Sequence, residues 1–379
     1  MKPLFTIVAF CFLSLMASAT QRTVNNINNL PGNPGQFATI PAALLASNAG
    51  DTILVAGSLI NYSAPINISQ KVVLLGPGYN PAKQNPLTAI ISGAISFTAN
   101  NASGSVIMGF TINSNINFNT GTNINGAIIR RNLISSSIVF GDSTTNTVVA
   151  ENSITGGYMY MATANGQNNL TIENNIFSSS SFSFYYQYNN TTNTSPVKVT
   201  HNLFINGSST LPLKSSNINN FADISATAAY NLVIENNIFY NVSPAPVGGN
   251  PFINCTFDNN ISYAGTALPS LPISGNGNVG SGNLNNTNPM MVSLFNTANS
   301  IDYNLDNLRL QAGSPCIGTA TDHSNIGPTG GAYPIYVTTN LYLTGEPPIP
   351  EVKSANFLGA SSVSPGGTLQ IQVKAQTIN

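Results

Sequence analysis

The sequence predicts an all-β protein, a single-stranded right-handed parallel β-helix with an N-terminal capping helix and a short C-terminal β extension. Three observations carry this. A strand-like motif recurs at intervals near 22 residues. Within each copy apolar and polar residues alternate with period two, the period of a strand. Finally, the chain is poor in charge and rich in turn formers. Of 379 residues only 23 are charged (6%), against roughly 25% in an ordinary soluble domain. Asn supplies 56 residues, Gly 32 and Pro 23, Trp is absent, and 42% are hydrophobic. The net charge of −1 offers no basic field for nucleic acid or anionic lipid, so neither is an expected partner. Disorder does not fit either, because the apolar residues fall in β-rich runs.

In chain order, the first element is a leader. Met1-Lys2, the apolar run PLFTIVAFCFLSLM and Ala17-Ser18-Ala19 read as a secretory signal peptide, residues 1–19, cut before Thr20. Cys11 lacks the small preceding residue that a lipoprotein site wants. No later stretch reaches 18 apolar residues, so no transmembrane helix is predicted and the product is expected to be secreted or held at the cell surface. The cap, residues 20–50, contains TIPAALLASNAG, a short helix with Thr39 as N-cap, Pro41 in the first turn and Gly50 ending it. GDTILVAG and KVVLLGPG then open the coil, residues 51–333.

The repeats follow. SVIMGFTINSN, AIIRRNLISSS, TVVAENSITGG, LTIENNIFSSS, VKVTHNLFING, LVIENNIFYNV and CTFDNNISYAG align at Phe110, Asn132, Asn152, Asn175, Asn202, Asn237 and Asn260, with spacings of 22, 20, 23, 27, 35 and 23 residues. A unit this short cannot hold a packed helix pair, but it suits one rung whose strands pair with the next rung about 4.8 Å away. Asn at a repeated corner can form an amide ladder and tolerates the left-handed bend. Residues 334–379 hold a Pro-rich linker, GEPPIPEV, and a closing β segment around SVSPGGTLQIQVKA. Cys255 and Cys316 sit in apolar surroundings, which favours two buried thiols over a disulfide.

On these residues the chain resembles the pectin-lyase-like right-handed β-helix superfamily. FATIPAALLASNAGDTILVAGSLINY with ISQKVVLLGPGYNP is similar to its opening helix and first strands, and LRLQAGSPCIGTATDHSNIGPTGG to the closing rungs of secreted, Bacteroidetes-type members of unassigned activity. The resemblance spans roughly residues 23 to 333 and implies the right-handed sense. It implies no particular chemistry. The calcium-binding Asp cluster and Arg base of pectate lyases, the paired Asp and His-Gly of polygalacturonases and the Trp-containing motif of pectinesterases are all missing here. The letter match Gly275-x-Gly277-x-x-Gly280 has no following helix to cradle a dinucleotide. No motif implies a cofactor or a metal.

Two features remain. Glu173, Glu235 and Asp258 stand two residues before their marker Asn, on the outward face, in a column where carboxylates face solvent, hold a cation or share a proton. The run Phe182-Ser-Phe184-Tyr185-Tyr186-Gln-Tyr188 lies beside the two long spacings, where inserted residues emerge as loops. It reads either as an interior aromatic stack or as a sugar-stacking platform. The expected carbohydrate-binding set is Tyr185, Tyr186, Tyr188, Glu173, His201 and Glu235, with a neutral polysaccharide or cell-surface glycan as partner and the chain a monomer. The expected function is glycan binding, adhesion or surface structure without catalysis; the other reading is a polysaccharide lyase or glycoside hydrolase.

Overall fold

The computed structural model describes residues 19–27, 35–80, 87–119, 121–141, 143–161, 167–178, 181–184, 196–205, 220–223, 229–247, 251–263, 270–294, 307–335, 346–347, 350–357 and 371–377. Their strands, mostly two to four residues long, stack into three parallel sheets of eleven, eight and eight strands. From Val73 to Val247 each turn contributes one strand to each sheet, which is the coil of a right-handed parallel β-helix, the sense that parallel crossovers take.

Inward-facing positions form columns. In the first sheet Ile107, Ile129, Val149, Ile172, Val199, Ile234 and Phe257 are in register and at most 1% exposed. In the second, Phe177, Phe204 and Phe239 stack at centroid separations of 4.6 and 5.2 Å. In the third, Phe97, Phe118 and Phe140 do so at 4.5 and 5.3 Å. Identical side chains one rung apart are parallel and offset by the rung spacing, so each ring finds a stacking partner without a special fold. Strand register places Phe182 and Phe184 level with Met159 and Met161 of the third sheet.

The marker asparagines form the expected ladder. Each side-chain oxygen from Asn152 to Asn283 accepts the backbone N–H and the side-chain amide of the preceding ladder Asn, at 2.9–3.1 Å. Phe110 closes the upper end, where only its backbone N–H donates to Asn132. The left-handed bend lies one residue earlier than the ladder position, at Gly109, Arg131, Glu151, Asn174, His201, Asn236 and Asn259, with φ between 49° and 86°. The ladder Asn thus serves by hydrogen bonding, and the bend falls to a neighbour of varied type. At Gly109 the reason for glycine is double: φ is +86°, and a Cβ would meet the Gly76 carbonyl oxygen at 2.5 Å.

The ends depart from expectation. The stack starts at Gln21–Val24, which pairs in parallel with Thr52–Val55, rather than at residue 51. Helix α1, Ile40–Leu45, has Thr39 as its N-cap, accepting the Ala42 N–H at 3.3 Å, and Pro41 in its first turn. It ends at Ala46, before Gly50, because the Ala46 and Ser47 amides close the last turn on Ala42 and Leu44. At the far end the last rung is marked by bridges from Thr256 to Val279 and from Ile261 to Leu284. Residues 290–294 and 307–335 leave the stack and pack on its outside. There Met291, Leu308, Cys316, Ala320, Ile326 and Ile335 join the outward residues Ile176, Leu203, Ile238 and Ile261 in a second core. The reason is the outward apolar column of the second sheet, which needs a cover. Pro350–Phe357 and Ile371–Thr377 pair as an antiparallel hairpin, so part of the GEPPIPEV linker is strand. Cys255 and Cys316 are free buried thiols in the two separate cores, and burial pushes them up to about 12 and about 11.

Candidate functional site

The first sheet brings the predicted carboxylates into one outward column, Ala150, Glu173, Thr200, Glu235 and Asp258 in consecutive rungs. Beside it runs the left-handed column with Asn174, His201 and Asn236. Glu173 and His201 come together, with Glu173 Oε1 4.0 Å from His201 Nδ1. Glu235 lies one further rung along. Tyr185, Tyr186 and Tyr188 lie outside the described residues.

The column does not form an open groove. Residues 319–335 run back along it as a strap and consume its hydrogen bonds. Asn259 donates to the Thr319 carbonyl at 2.6 Å, and Asn236 exchanges two bonds with Thr321 at 2.8 and 2.9 Å. Asn174 donates to the Pro328 and Gly330 carbonyls at 3.1 and 2.6 Å and accepts from the Tyr333 N–H at 3.2 Å. Glu173 accepts the Ala332 N–H at 2.6 Å, and Glu235 accepts from the Thr321 hydroxyl at 3.4 Å. Gly331 fits against Glu173 and His201, where a Cβ would meet Glu173 Oε1 at 2.4 Å. Glu173 and His201 are consequently 6% and 3% exposed.

Asp322 and Ser324 of the strap complete a polar cluster that the sequence reading missed. The run TDHSNIGPTGG reads only as turn residues, and nothing local to it specifies a partner more than 80 residues away. Ser324 donates to Asp322 at 2.6 Å and accepts the Gly331 N–H at 2.8 Å. His201 Nε2 is 3.1 Å from the same hydroxyl, and its Nδ1 is 2.8 Å from the Thr200 hydroxyl. Since the Ser324 proton is spent on Asp322, the network assigns the ring proton to Nε2, with Nδ1 accepting from Thr200. A Ser-His-carboxylate relay needs the opposite direction, with the serine proton moving to the imidazole. In this arrangement the cluster holds the strap in place.

Electrostatics agree. Burial raises the Glu173 carboxyl above its usual range, the Ala332 N–H opposing, and burial likewise raises Glu235 against the pull of Lys198. Burial lowers His201, with Asp322 opposing. Desolvation pushes Asp322 up, but the bonds it accepts from the Ser324 hydroxyl and N–H outweigh this and leave it lowered. The neutral imidazole is thus the form the folded site prefers, and its contribution to stability is full above its unfolded value of about 6.5 and is lost as pH falls. Glu173 and Glu235 act in the opposite sense, since protonation favours their buried state below their unfolded value. His201→Asn keeps a residue at ease with φ 53° and removes the titration. Between pH 7.5 and 5, amide exchange of residues 319–333, corrected for intrinsic rates, is expected to accelerate in the native protein relative to His201→Asn, where the raised carboxyls alone leave it level or slow it. Equal pH dependence in both would show that the strap does not sense His201.

One rung group higher, Arg130 and Arg131 converge on the buried Glu151. Arg131 contacts its oxygens at 3.0 and 3.2 Å and donates to the Glu346 carbonyl at 3.1 Å, while Arg130 pairs with Glu151 and stacks on Tyr333 at 4.5 Å. These guanidiniums are likewise committed to structure. Among the described residues no group of His, Cys, Asp and Glu has the arrangement of a metal site, and no helix is long and apolar enough to cross a membrane.

The third sheet differs. Its outward column, Asn67, Ser96, Asn117 and Val139, is exposed or half-exposed, and Tyr158, 42% exposed, follows at its edge. Asn67 and Ser69 also line a groove of about 280 Å³ with Pro41, Leu44, Leu45 and Pro65 at the N-terminal end of the coil.

Fold and site together define a parallel β-helix whose titratable cluster is sealed by its own C-terminal strap. No family model matches the chain, and no curated protein matches it. Among solved structures it is similar to an alginate lyase from Paenibacillus sp. str. FPU-7 (TM-score 0.32, 14% identity, covering 65% of this chain and 91% of that one). It is also similar to pectate lyase Pel9A (TM-score 0.31, 13% identity, covering 83% and 98%).

Proposed function

We propose that this chain is an exported, non-catalytic β-helix that binds an uncharged polysaccharide along its third sheet, in adhesion or surface structure. The observation that carries the reading is the division of faces. The convergent acids, the imidazole and the paired guanidiniums are occupied by the chain itself, while an uncharged polar column with an adjoining apolar groove stays accessible. Hydrogen-bonding side chains stand there on three successive rungs, at Asn67, Ser96 and Asn117, about 4.8 Å apart and close to the length of one extended sugar unit, and Pro41, Leu45 and Tyr158 offer surfaces for sugar C–H groups. With few cations to neutralise a polyanion, a neutral glycan is the better match.

The mature protein is expected to be retained on neutral polysaccharide columns, and the double variant Asn117→Ala, Tyr158→Ala to elute earlier with an unchanged melting temperature. Each contact is worth about 1 kcal/mol, so together they change retention roughly tenfold or more. No reducing or unsaturated sugar should be released from a polysaccharide panel. Release would establish the lyase or hydrolase reading instead, and equal retention of the variant would remove the third sheet from recognition.

A further inference from the structure

The N-terminal end of the coil contains a carboxylate whose surroundings resemble an unfinished ion pair. Asp51 is 0% exposed. Its Oδ1 accepts the Thr20 backbone N–H at 2.7 Å, and its Oδ2 accepts Arg22 Nε at 2.9 Å and the Asn48 N–H at 3.0 Å. Thr20 is in turn fixed by the Thr52 N–H, which donates to its carbonyl at 3.0 Å as the first and third strands of the eleven-stranded sheet pair. Ala19 and Thr20 themselves are exposed, so the bond between them lies at the surface and within reach of a peptidase.

We infer that Ala19–Thr20 is a processing site and that the new amino group of Thr20 is a built-in part of the fold, seated on Asp51. This rests on reading residues 1–19 as a removable leader. Hydrolysis by an export-pathway peptidase adds one water across the amide, leaving a carboxylate on Ala19 and an amine on Thr20, which takes up a proton near neutral pH. The nitrogen that donates as a neutral amide before the cut donates as an ammonium after it, to the same oxygen and without moving. Charge-assisted bonds of this kind are about twice as strong as neutral ones. Asp51 then has two cations, Arg22 and the terminus, in place of one. Cleavage therefore strengthens the closure of the coil's first rung, and the exported form is held more firmly than the precursor.

Two measurements separate the parts of this inference. Chain exported from a bacterial host with its native leader should begin at Thr20 on N-terminal sequencing; another first residue overturns the processing site. Independently, protein with Thr20 freed by tag removal should acylate at its α-amine about tenfold more slowly at pH 7 than the same chain in denaturant, as an amine raised by one unit would. The native rate should rise in Asp51→Asn. Should that variant fail to fold, a chain carrying Ala19 as its first residue serves instead. The Thr20 form should melt higher at pH 7, and the gap should close above about pH 9, because a raised amine gives stability that is lost as pH climbs through its folded value. Equal acylation and equal melting overturn the ion pair, even where sequencing finds Thr20.

Discussion

Ile234→Asp is expected to lose the folded state or to melt on the order of 10 °C lower. Ile234 is 0% exposed and stands between Val199 and Phe257 in the inward column of the first sheet. Its described neighbours in the core are apolar, so the change combines lost apolar burial with an unpaired buried charge, about 5 kcal/mol or more. A whole domain has only about 5–15 kcal/mol to lose. Ile234→Val at the same place should cost about 1 kcal/mol. Thermal unfolding followed by circular dichroism distinguishes the two, and an Asp variant that melts with the native protein would refute the inward register.

The second large effect belongs to the ladder. In Asn202→Leu, the Asn175 backbone N–H and side-chain amide both lose their acceptor, formerly at 2.9 and 3.1 Å, and the Ile172 and Thr200 carbonyls lose a donor at 2.8 and 2.9 Å. These groups lie in dry surroundings, where each one left unmade costs about 1–3 kcal/mol. A total of about 3–5 kcal/mol is expected, despite the gain in hydrophobicity. Asn283, half-buried in the last rung, gives the contrast: its replacement by Leu should cost roughly half as much, because the end is open to water. Urea midpoints would measure both. Equal losses at the two positions would mean that the ladder does not work as a chain of buried bonds.

Much of this architecture was legible because it repeats. The marker spacing located each rung, and once Asn175, Asn237 and Asn260 were aligned, Glu173, Glu235 and Asp258 followed as an outward column by counting two residues back. The helix start at Thr39 was legible because a cap is a local hydrogen bond. What lay over the column was not. The strap reaches its partners across 154 to 159 residues at Asn174 and Glu173 and has no period of its own. Turn residues such as those of TDHSNIGPTGG give no sign of what they will meet. The bend residue escaped for another reason: Arg131, Glu151, His201 and Asn236 share one left-handed geometry, so residue type alone does not reveal it.

The strap changes what kind of object the coil is. A stack in which each rung touches only its neighbours behaves as a one-dimensional array: it frays from an open end, and its rungs unfold in sequence at modest cost. Here Asn259, Asn236, His201, Asn174 and Arg130 all contact the same short segment, from Thr319 to Tyr333. No one of these rungs peels away without also releasing a contact shared with the rest. The coupling therefore runs across the array as well as along it, and the lower half of the solenoid gains the all-or-none melting of a globular domain.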